Sequence, residues 1–206
     1  MTPKKVVEVG SRQAVNQEDI ADMRAFFSKS KYIGVDMQKG PGVDVIQKGE
    51  KLPFDNGSVD VVLCLETFEH CDKPWEVAKE IERVVSKKGV VVVSSQQNFP
   101  IHMHPSDYFR FTPFGLKSLF ESLQSKLVIT ISPPFEGEVK LNPQHVILVG
   151  TKIKNDKLLK KIKKAIRQNV DKISVHKPYR HRLQDMIKFI KRGLSEIKFR
   201  QEIEFF

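Results

Sequence analysis

The sequence predicts an α/β fold built on an open, doubly wound sheet. Three observations lead there: β-branched runs alternate with helical periodicity over most of the chain, one run is apolar on both faces, and the last two runs follow each other with no helix between them. Alternation implies parallel neighbours, which need a crossover connection. The final pair needs none and predicts an antiparallel hairpin at the sheet edge.

The elements follow in order. Lys5-Val6-Val7-Glu8-Val9 is a first strand ended by Gly10, and residues 17–28 space Ile20, Met23, Ala25, Phe26 and Phe27 as on a helix. Tyr32-Ile33-Gly34-Val35-Asp36 is a second strand, and Val43-Asp44-Val45-Ile46 a brief third. Asn56-Gly57 turns the chain into Val59–Leu65, a strand covered on both faces. Asp72 as N-cap and Pro74 in the first turn open a helix to which Trp75, Val77, Ala78, Ile81, Val84 and Val85 supply one apolar face and which stops at Gly89. Val90–Val93 is the fifth strand, Thr112-Pro113 opens a helix reaching Leu123, and Leu127–Ile131 and His145–Val149 form the hairpin.

Composition narrows the function. The two cysteines, Cys64 and Cys71, suit neither a disulfide framework nor a zinc finger, no metal ligand set stands out, and no apolar stretch at the N-terminus resembles a leader or membrane span. A cytoplasmic protein is expected. The formal charge of +10 is not spread evenly: residues 152–206 hold 17 Lys and Arg against 6 Asp and Glu, and residues 1–151 hold 18 against 19. Two units are therefore expected, a neutral domain over 1–151 and a basic amphipathic helical extension over 152–206. In the extension Leu158, Leu159, Ile162, Ile166, Val170 and Ile173 share one face, and Leu183, Ile187, Ile190, Leu194 and Ile197 another. Such faces pack on the domain or a second subunit, making a homodimer, or they lie in an anionic membrane interface; nucleic acid ranks behind these.

In an open parallel sheet, ligands bind beyond the carboxyl ends of the strands. Gly10 and Ser11 follow the first strand, where glycine lets backbone approach a ligand. Asp36 ends the second, where an acid can accept both hydroxyls of a ribose. The segment His102-Met103-His104-Pro105-Ser106-Asp107-Tyr108-Phe109-Arg110 follows the fifth and gathers two imidazoles, a carboxylate, a phenol and a guanidinium, the equipment for a polar acceptor. The competing reading makes Tyr108, Phe109 and Phe111 core and the polar groups helix caps.

Over residues 5–151 the sequence resembles the class I S-adenosylmethionine-dependent methyltransferases, particularly the type 11 group. The likeness runs through Val6-Val7-Glu8-Val9-Gly10, Gly34-Val35-Asp36, Leu52-Pro53-Phe54-Asp55-Asn56-Gly57-Ser58-Val59-Asp60-Val61-Val62, Glu69-His70, and Ile81 to Gly89. It implies a Rossmann-like seven-stranded methyltransferase sheet of order 3-2-1-4-5-7-6, with the last strand antiparallel. It implies S-adenosyl-L-methionine as cofactor, held by Glu8, Gly10, Ser11, Asp36, Met37, Glu50, Leu52, Leu65, Glu66 and His70. The 102–113 segment resembles one found in bacterial methyltransferases associated with glycan or cell-surface biosynthesis, which implies a sugar, glycan or other small polar acceptor bound by His102, His104, Tyr108 and Arg110. The candidate catalytic residues are His104, ranked first for deprotonating the acceptor, His70 and Asp107. Two positions depart from the family: Ser11-Arg12-Gln13 replaces the second glycine of the loop, and Lys48 stands where an acid commonly meets the adenine, with Glu50 the nearest substitute. An RNA or protein methyltransferase using the basic tail, and a non-catalytic adaptor on the same fold, remain as alternatives.

Overall fold

The computed structural model describes residues 2–13, 22–102, 105–131, 143–174 and 203–205. Its strands are β1 (Lys5–Val9), β2 (Lys31–Asp36), β3 (Val45–Ile46), β4 (Val59–Cys64), β5 (Val85–Gln96), β6 (Ser125–Ile131), β7 (His145–Thr151) and β8 (Ile203–Phe205). They lie in the order β3-β2-β1-β4-β5-β7-β6-β8. The first five pair in parallel, and β7 enters antiparallel between β5 and β6. The order expected for seven strands is thus found, with its hairpin.

Central strands are apolar because both faces are covered. Val6, Val7, Val62, Cys64, Val91 and Val93 are all fully buried. On one face α1 (Pro74–Val84) contributes Val77, Ala78, Ile81 and Val84, and α2 (Pro113–Ser118) adds Leu116. On the other, α3 (Asp156–Ser174) lays Leu159, Ile162 and Ile166 against Leu127, Ile129 and Val149. The amphipathic face of the basic segment is therefore used, over this stretch, to cover the sheet.

Several local expectations are corrected. The helix before β5 ends at Val84, and Gly89 lies inside a strand that runs from Val85 to Gln96; a Cβ there would come within 2.9 Å of the Asp60 carbonyl oxygen. Lys73 and not Asp72 is the N-cap of α1, and its side chain makes no capping bond, the first turn relying on Pro74. By contrast Thr112 caps α2, accepting from the Gly115 N–H at 3.0 Å. That helix stops at Ser118, and Phe120 and Leu123 are buried from a turn instead. Of the helix expected over 17–28, residues 24–27 form a short 3-10 turn, and 14–21 lie outside the described residues. The 152–206 extension is not wholly helical, since β8 adds an edge strand antiparallel to β6; its second amphipathic stretch lies outside the described residues. Among the described residues no helix is long and apolar enough to cross a membrane.

Candidate functional site

The carboxyl ends of β1, β2, β4 and β5 converge on one edge. β1 runs into Gly10 at φ +75°, a left-handed conformation that favours glycine, and a Cβ there would stand 2.2 Å from Thr67 Oγ1. The Gly10 and Ser11 N–H groups both donate to the Val35 carbonyl, at 2.8 and 3.1 Å, turning the chain across the head of β2. Arg12 N–H then donates to Asp36 Oδ2 at 3.2 Å and Gln38 N–H to Oδ1 at 2.8 Å. Each Asp36 oxygen accepts one backbone hydrogen bond, which fixes its direction and leaves acceptor capacity, because a carboxylate has about four lone-pair sites.

The missing second glycine of this loop is compensated from outside it. Ser11 Oγ is buried with no hydrogen-bond partner, and the room for Ser11 comes from Gly34 and Gly42. A Cβ on Gly34 would lie 2.6 Å from Ser11 Oγ, and one on Gly42 would lie 2.4 Å from the Ser11 carbonyl oxygen. Below the turn, Glu8 is buried and accepts from the Tyr32 hydroxyl at 2.5 Å. Burial pushes the Glu8 carboxyl up, against the opposing effect of that bond, and burial together with Glu8 raises the Tyr32 phenol, which stays a donor.

Beyond β4, Leu65 and Glu66 lead into a 3-10 turn, Phe68–His70, with Glu66 at φ +47°. Glu66 N–H donates to the Ser94 carbonyl at 3.1 Å, and its carboxylate meets His145 Nδ1 at 3.2 Å. Burial acts to raise the Glu66 carboxyl, but bonds from His145 and Ser94 outweigh it and hold it below its ordinary range. His145 is raised in turn, chiefly by Glu66. Further out, the Leu52 N–H donates to Glu80 Oε2 at 2.8 Å, Met37 is half exposed, and Glu50 lines a surface groove with Lys48, Asp72, Lys73, Trp75 and Glu76. Glu50 thus stands in this groove beside Lys48.

The polar segment after β5 folds onto this turn. The Glu69 carbonyl accepts from the Tyr108 and Phe109 N–H groups, at 2.7 and 3.3 Å. His70 Nδ1 lies 2.5 Å from the Ser106 carbonyl oxygen, and the His70 and His102 rings meet edge to face with centroids 4.8 Å apart. Asp107, whose side chain is 1% exposed, accepts from the His102 N–H at 2.9 Å and lies 3.2 Å from His102 Nδ1. Its carboxyl is held well below the usual range, first by Arg110. Arg110 in turn places all five donors inside the protein: on both oxygens of Asp107 and on the carbonyls of Phe99, Pro100 and Phe109. Asp107 and Arg110, expected as catalytic and acceptor-binding residues, thus form a brace that shapes the segment, with the five donors of Arg110 taken up inside the protein. His102 lies beside His70, Tyr108 is half exposed, and His104 lies outside the described residues.

Two residues that the sequence reading did not name as site candidates stand out. Glu69 is fully buried; Ser95 donates to Oε2 at 2.7 Å, Oε1 has no hydrogen-bond partner, and burial raises the carboxyl to about 7. His145 heads an apolar strand, and its polarity at that position was the signal available.

The family described as a methyltransferase domain matches residues 8–93. An uncharacterized methyltransferase of Mycobacterium tuberculosis is 41% identical over 54 residues, which are 26% of this chain and 21% of that protein. One from Mycobacterium sp. strain JLS is 36% identical over 74 residues, 31% of this chain and 29% of that protein. The chain thus spans about a fifth to a third of the length of the curated relatives it matches. Among solved structures, an S-adenosylmethionine-dependent methyltransferase from Archaeoglobus fulgidus is similar with a TM-score of 0.58 at 13% identity, over 71% of this chain and 85% of that one. A Thermotoga maritima protein described as a possible histamine N-methyltransferase gives 0.51 at 18%, over 72% and 82%.

Proposed function

We propose that this chain, whose residues 8–93 match the methyltransferase-domain family and whose fold is that of class I S-adenosylmethionine-dependent methyltransferases, transfers the methyl group of S-adenosyl-L-methionine to a hydroxyl of a sugar, glycan or other small polar acceptor. The observation that carries the cofactor half is the pairing of Gly10 and Asp36, a left-handed glycine turn beside an acid whose oxygens are pre-aimed by backbone N–H groups. Unpartnered, buried Ser11 Oγ and the positive-φ backbone at Gly10 fit a ligand brought against the loop. When bound, S-adenosylmethionine supplies a methyl group already activated on a positively charged sulfur.

The chain then has to bind, orient and deprotonate. Asp36 would hold the ribose, Glu66 and Leu65 would line the cofactor at the end of β4, and Glu50 would face the adenine. Orientation alone can contribute about 7–11 kcal/mol at best in such a displacement. The acceptor side is the 99–110 segment, braced by Asp107 and Arg110 so that His102 and Tyr108 are presented rather than buried. His104 ranks first as the base, and a hydroxyl needs one, worth about 10²–10⁴-fold.

The test is calorimetric binding of S-adenosylmethionine and S-adenosylhomocysteine to the full chain and to Asp36→Ala. We expect binding to wild type and a loss on the order of 100-fold in the variant; absence of binding to folded wild type would overturn the reading in favour of the adaptor. On the acceptor side, His104→Ala should lose turnover at neutral pH and regain it at high pH. Unchanged turnover at every pH would remove His104 from the mechanism.

A further inference from the structure

Glu69, His70 and His102 form a cluster to which the proposed methyl transfer assigns no metal. One carboxylate oxygen of Glu69 and one ring nitrogen of each histidine lie within 4.8 Å of one another. Three features distinguish this from a chance meeting of polar side chains. Glu69 is fully buried, yet its Oε1 accepts no hydrogen bond, a costly arrangement for a carboxyl group. His70 directs Nδ1 at the Ser106 carbonyl oxygen, which can only accept, so Nδ1 carries the proton and Nε2 the lone pair. His102 directs Nδ1 at Asp107 Oδ2 and at the Pro100 carbonyl oxygen, each at 3.2 Å, with the same consequence. An imidazole whose Nδ1–H is held by a carboxylate or carbonyl is the arrangement that orients metal-binding histidines.

We propose that Glu69, His70 and His102 bind a divalent first-row transition ion, Zn²⁺ foremost. Two imidazoles and one carboxylate suit such an ion and are poor for Mg²⁺ or Ca²⁺, which take oxygen ligands. Three protein ligands leave a fourth tetrahedral position for water or an acceptor oxygen. Bonds of about 2.0–2.2 Å bring tetrahedral donors to roughly 3.3–3.6 Å from one another. The three donor atoms already lie within 4.8 Å of one another, so binding has to draw them only about an ångström closer. The brace of Asp107 and Arg110 acquires a purpose here, since it fixes the ring that Asp107 contacts. The site stands on these side chains and not on the identity of the acceptor.

The experiment is titration of the chelator-stripped full chain with Co²⁺ alone, read by its visible absorption, followed by displacement with Zn²⁺. Wild type should take up one equivalent per chain with a spectrum of low-coordinate Co²⁺. Glu69→Gln, which keeps volume and can still accept from Ser95, and His102→Ala should each weaken binding on the order of 100-fold or more; Asp107→Asn should weaken it about 10–100-fold. Circular dichroism and thermal unfolding on the same samples report that each variant is folded, and S-adenosylhomocysteine calorimetry keeps failure of the methyltransferase reading separate from failure of the metal site. Wild type without stoichiometric uptake, or folded Glu69→Gln binding Co²⁺ as wild type does, would overturn the proposal.

Discussion

At Gly10 two constraints coincide, and they can be separated. The φ of +75° costs any other L-residue roughly 1–2 kcal/mol, and a Cβ would also strike Thr67 Oγ1. Gly10→Ala should therefore lower the melting temperature by a few degrees, at about 2–4 °C per kcal/mol for a chain of this size, and weaken S-adenosylhomocysteine binding. Adding Thr67→Ala removes the collision but not the backbone conformation, so thermal unfolding should show partial recovery only. Full recovery would mean that the turn does not require a left-handed residue. This position was legible in the sequence less from the glycine alone, which turns after strands use anyway, than from its spacing to Asp36 at the end of the next strand. The Glu69 cluster was not, because its side chains come from two segments that only the sheet order brings together, and because Glu69 looks like an ordinary loop acid until its burial is known.

Between elements, Arg83 does for the 52–57 loop what Arg110 does for the segment after β5. From α1 it donates to the carbonyls of Leu52 and Phe54, to Asn56 Oδ1 and to both oxygens of Glu80, while Glu80 accepts from the Leu52 N–H. The 52–57 loop is thereby pinned next to Glu50. Arg83→Met leaves two loop carbonyls without these donors and should cost about 1–3 kcal/mol. The same variant has a signature in pH. The Arg83 hydrogen bond, above all, holds the Glu80 carboxyl below its ordinary 4.5. A depressed carboxyl contributes stability that is complete above its unfolded value and is lost as pH falls through its folded value. Denaturant unfolding from pH 7 down to 3 should therefore show the gap between wild type and Arg83→Met narrowing below about pH 4.5. A constant gap would show that Glu80 is not linked to Arg83. The sequence disclosed the Leu52–Gly57 turn and the helix, but not this tie. Nothing in periodicity reveals which arginine of a helix turns back under a loop.

Across the whole molecule, the parallel body was readable because its strands are apolar on both faces and its ligand positions follow strand ends by rule. Its extension was harder: a basic amphipathic helix reads alike whether its apolar face meets protein or lipid. The structure answers for residues 159–166, where Leu159, Ile162 and Ile166 sit on β6 and β7. Leu127, Ile129 and Val149 are 1%, 5% and 6% exposed under that cover, and without it this sheet face would open to water. Half-buried Ile162 should thus contribute to global stability, on the order of 1–2 kcal/mol for Ile162→Ala and more for Ile162→Asp, which places a charge against the sheet. The exposed Lys160, Lys161 and Lys164 make the complementary prediction. Their triple replacement by Glu should leave the melting temperature within about 2 °C of wild type, surface substitutions being worth roughly ±0.5 kcal/mol each. Both sets can be tested for sedimentation with vesicles rich in anionic lipid. If the helix is a cover whose lysines face solvent, Ile162→Asp lowers the melting temperature, and any vesicle binding depends on the lysines without needing Ile162. If instead Ile162→Asp abolishes vesicle binding and leaves the melting temperature unchanged, the apolar face serves the membrane and not the sheet.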